Sequence, residues 1–441
     1  MPRVYLFSDG RGPAPGMLTM KFVEAVARPP FFGVWATRSA FVLALLGWGV
    51  GFYGPPIYLA QVSARSGWAL GLVSAAVTVH FLVGALVNAN LPRLYARLGL
   101  PTVTILGSVL AALGVWGWAV ADQPWQLFVA ALATGCGWVG MGAVAINTIV
   151  ATWYDRQRPM ALSKAYNGAS MGGVVLSPLW VVLIGALGFP GAAAVVGLTM
   201  VGVVVFVARR VLVHTPASLG QQRDGGAVAS VARGAGGASA RAPLPGRALW
   251  RDRAFVTLAA GMAIGLFAQI GLLAHSFHLF APSIGAQRMG ALMGLATLCA
   301  MLGRYISSWA MQRGVSRRAA GAGSYLVQAV GVALLLLSAG QQPALIVLGM
   351  MLLGGGIGNA TSIPPLIAQA EFDAGDVARV VALIVAIGQG TYAFAPALFG
   401  VLPGADGAAG LPASLFVAGI GIQLLAAGVM LAGRKRAPGA V

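Results

Sequence analysis

The chain has 441 residues, 58% of them hydrophobic and 9% charged, with a formal net charge of +18. That balance excludes an ordinary soluble domain. The cationic excess would point to nucleic acid in a soluble protein. Here it sits in short loops beside apolar segments, where it serves orientation and anionic headgroups, so nucleic acid is not an expected partner.

Residues 1–37 mix Pro, Gly and charge and read as a cytoplasmic tail with an interfacial stretch near Phe31, Phe32 and Trp35. Six apolar segments follow, at 39–60, 69–90, 101–120, 126–150, 164–186 and 191–212. Most reach about 20 residues, enough to cross a bilayer core as helix. The first carries Tyr53, read as cavity-facing with aromatic packing as the cheaper account, and the helix breaker Pro55-Pro56. The second sets His80, Gly84 and Asn88 on one face at i, i+4 and i+8. His80 reads two ways: as a proton carrier, since imidazole titrates near neutral pH, or as a side chain hydrogen-bonded to a neighbouring helix. The fourth contains Gly135-Cys-Gly-Trp-Val-Gly140, a literal dinucleotide pattern with no strand before it, so its content is close helix packing. The fifth carries Asn167 and Pro178.

The longest polar gap, 214–253, is rich in Gly, Ala, Ser and Arg and reads as a flexible cytoplasmic linker that buries no core. Six more apolar segments follow, at 254–280, 288–311, 320–338, 343–368, 378–402 and 412–432, and then a short tail at 434–441. The predicted domains are a six-helix half at 38–213 and a second at 254–433. The seventh segment carries Gln269 and, at i and i+3, His275 and His278, read as interfacial or gate histidines. No third metal ligand is evident near them, and neither metal nor cofactor is expected. The eighth carries Arg304, the only charge placed well inside a helix, with Thr297, Ala300, Ser307 and Ser308 on roughly the same face. A buried guanidinium is a functional candidate by default, and snorkelling to the interface is the other reading. The eleventh carries Gln389 and Tyr392, the latter also read as cavity-facing. Asn147, Asn167, Asn359 and Gln389 suit substrate contact or helix–helix hydrogen bonding equally. Trp153, Trp250 and Trp309 read as interface anchors, and Cys136 and Cys299 as small packing residues.

With the N-terminus in the cytoplasm, all but three of the 28 Lys and Arg lie on that side; Arg65, Arg288 and Arg304 are the exceptions. This predicts an all-α integral membrane protein of twelve helices with both termini cytoplasmic. The basic stretch Asn90–Arg97 after the second segment is echoed by Gln312–Arg318 after the eighth. A repeat at half-chain scale places a substrate site between the halves.

Twelve helices in two halves with a long cytoplasmic linker resemble the major facilitator superfamily. The basic loops after the second and eighth helices resemble its loop signature, without the acidic residue. Within the superfamily, Gly49-Val-Gly-Phe-Tyr-Gly-Pro-Pro-Ile-Tyr58, Asn167-Gly-Ala-Ser-Met-Gly-Gly173 and Arg304 resemble the monocarboxylate and oxalate/formate porter branch. That resemblance implies a helix 8 arginine that meets the substrate carboxylate. The branch's animal members carry an aspartate one turn earlier, where this chain has Ala300.

The reading is therefore a monomeric bacterial inner-membrane transporter of a small organic anion, a mono- or dicarboxylate, working by alternating access. Arg304 is its anion-binding group, with His80, Asn88, Tyr53, Asn167, Gln269, Gln389 and Tyr392 as further contacts. Coupling is by H⁺ symport, through His80 or a proton on the substrate, or by anion exchange. The alternatives are drug efflux by proton antiport, which wants a buried acid, and a non-transporting sensor or enzyme.

Overall fold

In the computed structural model the described residues are 30–225, 246–402 and 411–433, and among them every regular element is helical. The expectations for residues 1–29, 226–245 and 434–441 lie outside the described residues.

Helix α1 (Gly33–Ser66) breaks after Gly51, and Pro55 and Pro56, which cannot donate the usual ladder bonds, start its outer part. It begins at Gly33, inside the stretch read as tail. α2 (Leu70–Leu98) and α3 (Leu100–Val120) follow, and α4 (Pro124–Trp153) is interrupted by a tight turn at Val139–Met141. The helical run Arg158–Val207 holds one non-helical residue, Gly188, at φ 70° and ψ 169°. A side chain there would be strained, and Gly188 parts the run into α5 (158–187) and α6 (189–207). The second half comprises α7 (Arg253–Ile284), α8 (Ala286–Gln312), α9 (Arg317–Leu337), α10 (Pro343–Glu371), α11 (Arg379–Val401) and α12 (Ala413–Ala432). The described chain thus makes twelve apolar spans in two halves of six. It is a multi-pass membrane protein, and an even count returns Gly33 and Ala432 to the same end of the bundle.

The two ends of the linker correct the sequence reading, because both pack. His214 meets the ring of Phe32 edge-on at 5.3 Å. Gln221 accepts from Phe32 N at 2.9 Å and donates to Pro30 O at 3.3 Å. Asp224, at φ 57°, takes the amides of Asp155, Arg156 and Gln157 at 3.1, 2.7 and 3.3 Å. At the other end Leu249 is fully buried in the second half. Trp153 is also corrected: it is 2% exposed and packs on Phe31 and Phe32, whereas Trp250 and Trp309 are exposed.

A further correction is Arg318. Its sequence neighbours made it a loop cation, yet it is 2% exposed at the start of α9. Its Nε and Nη2 donate to the two carboxylate oxygens of Glu371 at 2.7 and 2.8 Å. It also donates to Ala254 O at 2.8 Å, Thr257 Oγ1 at 3.0 Å and Met430 O at 3.1 Å. One side chain therefore ties α7, α9, α10 and α12 together at the termini end.

The halves meet along three seams: α1 with α7, α2 with α11, and α5 with α8. On the α5–α8 seam, Gly294 faces Val174 and Pro178, and Gly290 faces Val181. On the α2–α11 seam, Ala397 N donates to Thr78 Oγ1 at 3.1 Å, and Gly400 leaves just enough room between Ser74 and His275. The seams involve the outer part of α1, the start of α2, the far half of α5 and the start of α8. The bundle is thus sealed at the end away from the termini.

Candidate functional site

The α5–α8 seam runs from the sealed end to Arg304 and then parts. Arg304 Nη2 donates to Ser170 Oγ across it. Beyond this pair, Asn167 and Ser163 on α5 and Ser308 on α8 are exposed. Helical spacing puts Ser163, Asn167, Ser170 and Val174 on one face of α5, so the closed seam and the opening are continuous.

Toward the sealed end, Tyr53 reaches the Thr297 side chain and lies beside the charge of Arg304. Tyr53 stands at the break in α1. Gly173 permits this approach, since a Cβ there would lie 2.5 Å from Thr297 Oγ1 and 2.9 Å from the Tyr53 ring. On its other flank Arg304 lies against Gly358 of α10, and Asn359 beside it donates to Ser307 Oγ at 2.9 Å. The structure thus gathers Tyr53 and Ser170 from the first half with Thr297, Arg304 and Ser307 from the second. Asn359 braces α8 from behind. Arg318 is paired with a carboxylate, that of Glu371, whereas Arg304 has a serine where a carboxylate could bind. A guanidinium so placed can take a carboxylate through two parallel N–H···O bonds.

The other predicted contacts are distributed differently. His80 is 1% exposed, stacked on Trp138 at 5.8 Å, with Nδ1 2.9 Å from Thr134 Oγ1 and Nε2 2.8 Å from Gly51 O. Both ring nitrogens thus have partners inside the first half, on helices other than its own. Gln269 is buried in α7 and its Oε1 has no partner among the described residues. Asn88 is half-buried in α2 with Oδ1 likewise unmatched. Gln389 and Tyr392 are half-buried in α11, and the Tyr392 ring meets Phe81 of the first half at 5.7 Å. Asn147 donates to the Tyr166 hydroxyl at 2.7 Å, a bond between α4 and α5. His275 lies fully buried in the sealed end, with Nε2 3.0 Å from Pro396 O.

Ser170 was missed from sequence. A serine among small residues in an apolar helix reads as packing, and only its position six residues after Lys164 and three after Asn167, on the line toward Arg304, could have marked it.

The family profile of the Major Facilitator Superfamily matches residues 39–396. Among solved structures, the nucleoside transporter NupG has 15% identity and a TM-score of 0.69, covering 92% of this chain and 100% of that one. A mutant form of the same transporter gives 14% and 0.67, covering 91% and 100%. A bacterial homologue of the human lysosomal transporter Spinster, in an inward-facing and occupied conformation, has 12% identity and a TM-score of 0.65, covering 92% and 97%. At such identities these likenesses concern the fold. No curated protein sequence matches the chain.

Proposed function

The chain belongs to the Major Facilitator Superfamily and is a membrane transporter, and we propose that it carries a small organic anion, a mono- or dicarboxylate, by alternating access. The observation that carries this reading is Arg304. It sits where the sealed seam opens, with a neutral serine as its hydrogen-bond partner and its charge unmatched among the described residues. An intramembrane cation of this kind costs several kcal/mol unless a ligand or acid meets it. Its likeness to the porter-branch arginine adds support. The basic end of the bundle is then cytoplasmic, and the seal lies at the outer face of a bacterial plasma membrane, so this is the inward-open form. With His80 committed to internal bonds, coupling falls to anion exchange or to a proton carried by the substrate itself.

A carboxylate screen in proteoliposomes, with and without a pH gradient, tests the class. Arg304→Lys keeps the charge but loses the planar fork, and transport should fall at least about tenfold, the weight of one charge-assisted hydrogen bond. Arg304→Ala should abolish transport while leaving a folded protein. Full transport of every anion by the lysine variant would mean that Arg304 snorkels rather than binds.

A further inference from the structure

We propose that Ser170 couples anion binding at Arg304 to opening of the sealed end. This rests on the reading of Arg304 given above. Polar contacts that cross between the halves include Ala397 with Thr78, Tyr53 with Thr297, and Arg304 with Ser170. The last of these stands at the inner end of the seal. Ser170 is 5% exposed, on the face of α5 that continues into Gly173 and Val174. Arg304 is on the helix that continues into Thr297, Gly294 and Gly290. The two faces that make the seal are therefore joined, at its inner edge, through the guanidinium that the anion needs.

A carboxylate is a stronger acceptor for that guanidinium than a hydroxyl, because the pair is ionic and bidentate. When it binds, Nη2 turns from Ser170 to the ligand, and the seam loses one of its cross-links. A ligand shifts a conformational equilibrium by its differential interaction with the two states. Here that difference is the Arg304–Ser170 bond, present when the site is empty and absent when it is filled. Ser170 acts through Arg304 and is a positioning residue. Losing one charge-assisted hydrogen bond shifts such an equilibrium by about tenfold.

The test uses the full chain in nanodiscs, with Cys136→Ala and Cys299→Ala. Spin labels go at Asp122 and Gln341, exposed residues at the sealed end of the first and second halves. Pulsed dipolar spectroscopy then reads the fraction with that end open. Without ligand, Ser170→Ala should raise the open fraction about tenfold, the weight of the lost bond, and Ser170→Thr, which keeps the hydroxyl, should match the wild type. Oxalate, formate or acetate should shift the wild type in the same direction and leave Ser170→Ala unmoved, although calorimetry still detects binding. Wild-type distances in ligand-free Ser170→Ala, or an undiminished anion response in it, overturn the proposal. Should that variant not fold, Ser170→Gly removes the same hydroxyl and is held to the same outcomes. If the anions bind Arg304→Lys as they bind the wild type, the reading of Arg304 fails instead, and the ligand-free comparison still decides the coupling.

Discussion

The two halves close their termini ends with different chemistry. The first half uses rings: Trp153 lies between Phe31 and Phe32 at 6.1 and 5.3 Å, and Tyr154 meets Phe31 at 5.4 Å. The second half uses a buried ion pair, Arg318 with Glu371, stitched to three further acceptors. Ring packing fails by degrees, because each lost contact costs its own area. An ion pair fails at once, because removing one partner leaves the other as an uncompensated charge.

The largest effect should come from Glu371→Gln. It strands a guanidinium that is 2% exposed, at a cost of about 3–5 kcal/mol, read as a large drop in thermal stability in detergent. Arg318→Met should cost less, because Glu371, 18% exposed, keeps access to water. Equal losses in the two variants would mean that the carbonyl contacts of Arg318, not the pair, hold this end. Next comes Trp153→Ala, at about 3 kcal/mol for a buried indole, with Trp153→Phe recovering much of it. The two sites share no residue, so their losses should add in the double variant; strong non-additivity would show that the halves do not close independently.

The smallest effect belongs to Asp224→Asn. Burial pushes the Asp224 carboxyl up, but the amides of Arg156, Asp155 and Gln157 and the charge of Arg156 outweigh it and hold the carboxyl below its ordinary range. Its pKa is lower in the folded state than in the unfolded chain. The stability it gives is therefore present above the unfolded value near 3.8 and is lost as the pH falls through the depressed one. The group is largely solvated, so the loss should stay below about 1 kcal/mol. Thermal scans from pH 7 downward should show a small extra acid sensitivity in the wild type, missing from Asp224→Asn. A variant as acid-sensitive as the wild type would remove Asp224 from this role.

The twelve spans were legible because apolar length and one-sided charge need no tertiary knowledge. Arg304 was legible for a related reason: a lone cation in an apolar run has few bland explanations. Arg318 was not, although it is the better buried of the two. Beside Arg313 and Arg317 it looked like one more loop cation, and its partner lies 53 residues away. His80 is a case of another kind. Its residue type suggests proton chemistry at neutral pH, whereas its partners, Thr134 and Gly51 on other helices, show only in the fold. The ends of the linker were not legible either, because a few side chains dock on surfaces that no local periodicity announces: His214, Gln221 and Asp224 on one half, Leu249 on the other.

Those docked ends set the length of the leash between the halves. Twenty residues separate Gly225 from Gly246. A stretch of that length can span at most about 70 Å. A rocking motion of a few ångströms at the termini end lies far inside that reach. The covalent connection therefore sets only an outer limit on how far the halves can part, and the barrier between open forms is left to the three seams.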